Sequence, residues 1–194
     1  MSCAAILDLD TQLMMKVQEE DASSFELLLT RHRPGVVNYL ARLVQNHGIA
    51  EELAQDVFVR VYRSRHVYAP SAKFTTWLFR VTTNVALNYF RDERHERLNL
   101  SLDQDLPNSA KRDTPDRRAS VEQLMLREAW AREVRQAIQV LPEKQRAAVL
   151  MHKYEEMDYA QIAAVLGCSQ SAVKALMFRA YEFLRARLAH MAPD

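Results

Sequence analysis

Asp158-Tyr159-Ala160-Gln161-Ile162-Ala163-Ala164-Val165-Leu166-Gly167-Cys168-Ser169-Gln170-Ser171-Ala172-Val173-Lys174 spells two short helices and the corner between them. Asp158 and Gln161 have the spacing of a capping box, which satisfies the orphan N–H groups of a helix start. Ile162 and Leu166 give that helix one apolar face, and Ala163 is small where a second helix must approach. Gly167 stands where the corner needs a left-handed backbone, which glycine adopts without Cβ strain. Ser169 is placed to cap the following helix, and Val173 and Leu176 turn inward to hold it down. Gln170, Ser171, Lys174 and Ala175 then face outward, with Phe178 and Arg179 a turn further on. This is helix-turn-helix spacing, with the second helix free to enter a DNA major groove. A plain helical hairpin shares the period but has no need for the small, glycine and apolar positions to fall together. Lys174 and Arg179 can meet phosphates or guanine edges, and Phe178 can pack on a sugar or a thymine methyl. Spacing does not decide which of them reads a base. Cys168 is expected to be an inert, buried residue.

Outward from this motif the period stays helical. Leu13, Met14 and Val17 form a stripe for which Asp10 is the expected cap, and Phe25, Leu28 and Leu29 form a second, expected to end near Pro34-Gly35. Val36, Val37, Leu40, Leu43 and Val44 make a third, stopped by Asn46-His47-Gly48. Ile49, Leu53, Val57 and Val61 recur every four residues. After the turn-like Tyr68-Ala69-Pro70-Ser71-Ala72, the helical period resumes from Phe74 to Arg94. Residues 99–120 hold Pro107 and Pro115 among Asp, Arg and Ser, with too little apolar surface to offset ordering entropy. Ser120-Val121-Glu122-Gln123 reads as another capping box. The prediction is an all-α chain of two small helical domains, 10–98 and 120–190, joined by a flexible linker over 99–119.

Composition is consistent with this. Of 194 residues 48% are apolar and only 3 are Gly, which suits packed helices and not a loop-rich β fold. The net charge of +1 announces no nucleic-acid binder, but its distribution does more. Residues 1–30 carry six acidic side chains against Lys16 alone, whereas 169–190 carry Lys174, Arg179, Arg185 and Arg187 against Glu182. Cys3 and Cys168 form no C-x-x-C pair, so neither a disulfide framework nor a zinc site is expected. No cofactor is expected either. No apolar run approaches the roughly 20 residues that span a bilayer, and no signal peptide is visible, so a cytoplasmic protein without membrane insertion is expected. The six histidines are scattered, with no H-E-x-x-H, phosphate-cradling loop or Ser/His/Asp set, which argues against an enzyme.

A helix-turn-helix alone fits many repressors; the first half narrows the choice. Ile49-Ala50-Glu51-Glu52-Leu53-Ala54-Gln55-Asp56-Val57-Phe58-Val59-Arg60-Val61-Tyr62-Arg63 resembles region 2.2 of the sigma-70 family. Residues 74–91 resemble its regions 2.3 and 2.4, and Leu141-Pro142-Glu143-Lys144-Gln145-Arg146 with the helix-turn-helix resembles region 4. With only these two regions, the pattern resembles the extracytoplasmic-function (ECF) group of bacterial sigma factors. The resemblance implies a factor that binds core RNA polymerase and directs promoter-specific initiation, and that is held inactive by an anti-sigma factor. It implies that Glu52, Gln55 and Asp56, on one helix face, dock on the β′ clamp helices, and that region 4 meets the β flap. It implies that Tyr68, Ser71, Trp77, Arg80, Asn84, Asn88, Arg91 and Arg94 take up the −10 promoter DNA as it melts, Tyr68 and Ser71 at the rim of a base pocket. It implies that Gln170, Ser171, Lys174, Phe178 and Arg179 read the −35 element. Where relatives often carry further polar residues, this chain has Ala172, Ala175 and Leu176, and Ala50 replaces a frequent acidic residue. The rival is a conventional operator-binding regulator, which would leave the Glu52/Gln55/Asp56 face idle.

Overall fold

A computed structural model describes residues 8–70, 72–99 and 121–191; the side chains of 97–99 and 121–127 are outside that description. Ser71, the capping-box Ser120 and the expected linker from residue 100 on therefore lie outside the described residues. Among the described residues eight α-helices follow one another: α1 (Leu9–Gln18), α2 (Ala22–Val44), α3 (His47–Arg63), α4 (Phe74–Asn99), α5 (Val121–Val140), α6 (Glu143–Tyr154), α7 (Tyr159–Leu166) and α8 (Gln170–Arg187). No strand occurs among the described residues.

Asp8, not Asp10, caps α1, its carboxylate accepting from the Thr11 N–H at 2.9 Å. Asp10 is instead nearly buried and faces α2, with Arg31 Nε 3.1 Å and His32 Nε2 3.0 Å from its two oxygens. Desolvation holds the His32 pKa below its usual value despite that carboxylate. Asp21 caps α2 through the N–H groups of Ser23 and Ser24.

The expected break at Pro34-Gly35 does not occur: α2 runs straight through it. Proline and glycine inside a helix cost roughly 3 and 1 kcal/mol relative to alanine. Leu28 before the pair and Val36, Val37, Tyr39, Leu40 and Leu43 after it are all buried, and each contributes about 1.5–3 kcal/mol on burial. Tertiary burial wins. Gln45, in a left-handed conformation (φ 58°), ends α2, and Asn46 caps α3.

Within the first half, α2 packs on α3 and on α1, and α4 packs on α3. Phe74 and Leu78 are buried, with Trp77 and Val81 packed at the margin. Tyr39 is sealed inside, its hydroxyl 3.1 Å from Thr83 Oγ1, and burial raises its pKa. In the second half α6 packs on α8 and α7 on α8. The halves are not separate bodies. α7 lies against α4, α6 against the end of α2, and buried side chains of both halves belong to one apolar cluster.

Candidate nucleic-acid interface

The helix-turn-helix forms as its sequence dictates. Asp158 accepts from Gln161 N at 2.8 Å while Gln161 Oε1 accepts from Asp158 N at 2.9 Å, a complete capping box. Gly167 closes α7 at φ 62°, a left-handed value, and Ser169 Oγ accepts from Ala172 N at 3.2 Å to start α8. α7 and α8 meet at 100°, within the range this motif uses. Val173, Met177, Ala180 and Leu184 are the buried arc of α8. Met177 takes the place expected for Leu176, which is only partly covered. Cys168 is also only partly covered and is a free thiol.

The five residues singled out on α8 are all exposed, Phe178 at 68%. At about 100° per residue, Ser171, Phe178 and Arg179 lie nearest the middle of the arc opposite the buried residues, and Lys174 and then Gln170 lie toward its margin. Ser169 Oγ lies 2.9 Å from Ser171 Oγ, so this hydroxyl already has one partner. An exposed aromatic ring beside a lysine, at the open end of a capped helix, can offer a groove both an apolar contact and a charge.

On α4, Arg80, Asn84, Asn88, Arg91 and Arg94 fall on one face about 120° wide. Arg80, Asn84, Arg91 and Arg94 are exposed and Asn88 is half-buried. From Arg80 to Arg94 the stripe runs about 21 Å, roughly the rise of six nucleotides at 3.4 Å each. Two of its cations already have neighbours on the protein: Arg91 Nε lies 3.4 Å from Asp92 Oδ1, and Arg94 pairs with Glu143 of α6.

The loop before α4 departs from expectation. Tyr68 is 4% exposed and its ring packs edge-on against Trp77 at 4.9 Å and Phe74 at 6.1 Å. Its hydroxyl donates to Thr11 Oγ1, and burial raises its pKa. Tyr68 is thus a support of the loop and not its rim. Gln18 Nε2 pins the loop from α1, donating to the carbonyls of Arg65 and Tyr68, both at 2.8 Å. Among the described residues of the loop, Ala69, Pro70, Ala72 and Lys73 are exposed, with the half-buried Trp77 beside them. Lys73 adds a cation that the sequence reading passed over; its position directly before a helix was the available signal.

On α3, Glu52 and Gln55 are exposed, while Asp56 is half-exposed and gripped by Arg60 through two contacts at 2.8 and 3.1 Å. Such a surface pair is worth at most about 1 kcal/mol, so a competing cation can displace it. Val59 (46% exposed) and Tyr62 (38%) continue the same face one and two turns on. Their i+7 and i+10 spacing from Glu52 was legible, but an apolar residue in a helix reads by default as core. Ala50 is wholly buried, so a carboxylate there would point into the core and not at a partner.

No single helix among the described residues is long and apolar enough to cross a membrane. Nor do the described residues bring together three His, Cys, Asp or Glu side chains able to hold a metal ion.

Two family models match this chain: Sigma-70 region 2 over residues 28–96 and Sigma-70, region 4 over residues 131–184. The RNA polymerase sigma factor CarQ of Myxococcus xanthus is 33% identical over 179 residues, 92% of this chain and 97% of its own. The ECF RNA polymerase sigma-E factor of Escherichia coli K12 is 29% identical over 174 residues, 89% of this chain and 91% of its own. Among solved structures, the sigma factor RpoE bound to the anti-sigma factor NepR from Bartonella quintana superposes with a TM-score of 0.68 at 20% identity, covering 87% of this chain and 98% of that one. CnrH in complex with the cytosolic domain of CnrY gives 0.66 at 24% identity, covering 95% and 100%. At those identities the two structures speak for the shared fold.

Proposed function

The chain belongs to the ECF sigma factors of the sigma-70 family, and from that premise we propose that it works in the cytoplasm by carrying core RNA polymerase to its promoters through three of its faces. The observation that supports this best is the presence, in one chain, of two separate exposed DNA-facing stripes and a third, acidic face. Glu52, Gln55 and Asp56 on α3, extended by Val59 and Tyr62, dock on the β′ clamp helices; a polar, acidic face suits a basic coiled-coil partner. Arg80, Asn84, Asn88, Arg91 and Arg94, with Trp77 and Lys73 at the loop, follow the −10 strand. A base leaving its stack costs a few kcal/mol, which stacking and edge hydrogen bonds in a protein pocket offset. Asn84, exposed at mid-stripe, offers an amide to such an edge. Ser171, Phe178 and Arg179, flanked by Lys174 and Gln170, read the −35 major groove while this half meets the β flap.

No covalent chemistry is required and no cofactor takes part. Melting draws on contacts that single-stranded bases make and duplex bases cannot, so the protein selects an open state of the DNA. An anti-sigma factor masks these faces when the factor is idle; the Bartonella sigma factor of the same fold was solved in complex with an anti-sigma factor. The proposed domains are residues 10–98 for polymerase docking and −10 work and 120–190 for −35 work, with 99–119 as the tether.

The test is transcription from a genomic library template by core polymerase with and without the purified chain. Specific start sites that need the chain are expected. The double substitution Glu52→Arg with Asp56→Arg should abolish co-purification with core while leaving helix content and melting temperature unchanged. Operator binding by the chain alone, with no initiation, would return the protein to the conventional regulators.

A further inference from the structure

The loop between α3 and α4 is held from behind by α1. Thr11 and Gln18 are seven residues apart, so at 100° per residue they stand on one line of that helix, about 10 Å apart along its axis. The wholly buried Met14 sits between them. Both side chains reach the same stretch of loop. Gln18 Nε2 donates one hydrogen to the Arg65 carbonyl and the other to the Tyr68 carbonyl, each at 2.8 Å. Thr11 Oγ1 accepts from the Tyr68 hydroxyl at 3.4 Å. The Arg65 side chain is anchored as well. Its Nη2 donates to Glu20, just after α1, at 2.9 Å, its Nη1 donates to the Tyr62 carbonyl at 3.1 Å, and its guanidinium lies 4.2 Å from the centre of the Tyr62 ring.

A side-chain amide nitrogen carries two hydrogens and can bridge two carbonyls. A bridge between residues 65 and 68 fixes the span of the turn they bound, here the single 3-10 turn Arg65–Val67. Tyr68 leaves that turn extended, at φ −64° and ψ 127°, and Pro70 confines Ala69 to extended backbone in its turn. Once the Tyr68 carbonyl is fixed, so is the direction in which the chain emerges onto the exposed Ala69 and Pro70. The Tyr68 ring carries the same constraint to Trp77, 4.9 Å away in the first turn of α4. Without the bridge both carbonyls turn to water, and the loop spends only part of its time in this one shape. A loop that adapts to any base discriminates less than one already formed for its own. We propose that Gln18, half-buried behind the rim, is a positioning residue for the base-binding loop, so that α1 sets how sharply one base of the melted strand is told from the others. This inference rests on the −10 role given above to the loop and α4.

The test uses holoenzyme assembled from core polymerase and the full chain. Its binding is measured to short single-stranded oligonucleotides carrying the non-template −10 sequence of a promoter it transcribes, each position changed in turn to the other three bases. Wild type should show base preferences at several positions. Gln18→Met keeps the length and bulk of the side chain without its donors. It should cut the preference at one position by about tenfold, the yield of two lost hydrogen bonds, and leave the other positions, helix content and co-purification with core as in wild type. Gln18→Glu sets a carboxylate against two carbonyl oxygens and should cut that preference further. A preference that persists in both variants, that falls equally at every position, or that survives better in Gln18→Glu than in Gln18→Met overturns the positioning role. If wild type itself tells no base from another, it is the −10 reading of this loop that falls, taking the role of Gln18 with it.

Discussion

Replacing Gly35 by alanine should stabilise this protein, and replacing Gly167 by alanine should destabilise it by at least as much. Gly35 lies inside α2, exposed, and a Cβ built there meets nothing within 4 Å. The change therefore reports helix propensity alone, about 0.8–1 kcal/mol in favour of alanine. Gly167 also has open space around a built Cβ, but its φ of 62° is left-handed, which costs an L-residue about 1–2 kcal/mol. At about 2.1 cal/mol/K per residue the unfolding entropy of this chain is about 0.4 kcal/mol/K. Gly35→Ala should thus raise Tm by about 2 °C, and Gly167→Ala should lower it by about 3–5 °C. Pro34→Ala should add more. It restores an N–H to the helix ladder, worth up to about 3 kcal/mol, less about 1 kcal/mol for the freer unfolded chain, a net rise of about 5 °C. The assay is far-UV circular dichroism on the full chain during heating, with urea titration as a second axis. A fall in Tm for Gly35→Ala or Pro34→Ala would mean that the Pro-Gly pair is a working bend and that α2 is not one continuous helix. A rise for Gly167→Ala would refute the left-handed corner of the helix-turn-helix.

Two further outcomes can be checked alongside. Lys174→Ala and Arg179→Ala should each reduce the salt dependence of holoenzyme binding to promoter DNA, the slope of log K against log salt falling by about 0.9 per lost phosphate contact; an unchanged slope with a loss confined to one promoter position would make that residue a base reader instead. Asp21 bears on acid stability: hydrogen bonds from the side chains and then the backbones of Ser23 and Ser24 hold its pKa down to about 2, from 3.8. Its folded pKa is the lower one, so its contribution is fully present above about pH 4 and is lost as pH falls toward 2. The urea midpoint of wild type minus that of Asp21→Asn should be flat above pH 5 and shrink between pH 4 and 2, and a difference that stays level through that window would remove Asp21 as the titrating cap.

The local grammar of the helix-turn-helix corner was legible. The capping box at Asp158 and Gln161, the left-handed Gly167, the Ser169 cap and the outward set from Gln170 to Arg179 are fixed by interactions within four residues of each other, and the structure places them as the sequence alone requires. The same holds for the shared face of Glu52 and Gln55 and for the stripe from Arg80 to Arg94, because helical period dictates which residues align. What failed were readings that local rules cannot decide. Pro34-Gly35 reads as a stop, but the burial of residues on both sides of it outweighs the cost. Asp10 reads as a cap, yet Arg31 and His32 from the next helix recruit it, and Asp8 takes its place. Tyr68 reads as a rim residue until Phe74, Trp77 and Thr11 enclose it, and Ala50 reads as a missing acid until it proves to be core.

The sequence by itself determined that this is an all-helical chain with two cation-bearing helix stripes and an acidic helix face, since caps, turns and periodicity are short-range properties written residue by residue. Only the tertiary structure decided that the two halves close on each other. That outcome depends on Arg146 and Gln139 finding the carbonyls of Leu43 and Arg42 about a hundred residues earlier in the chain, a pairing of backbone groups with side chains that no pattern along the sequence encodes.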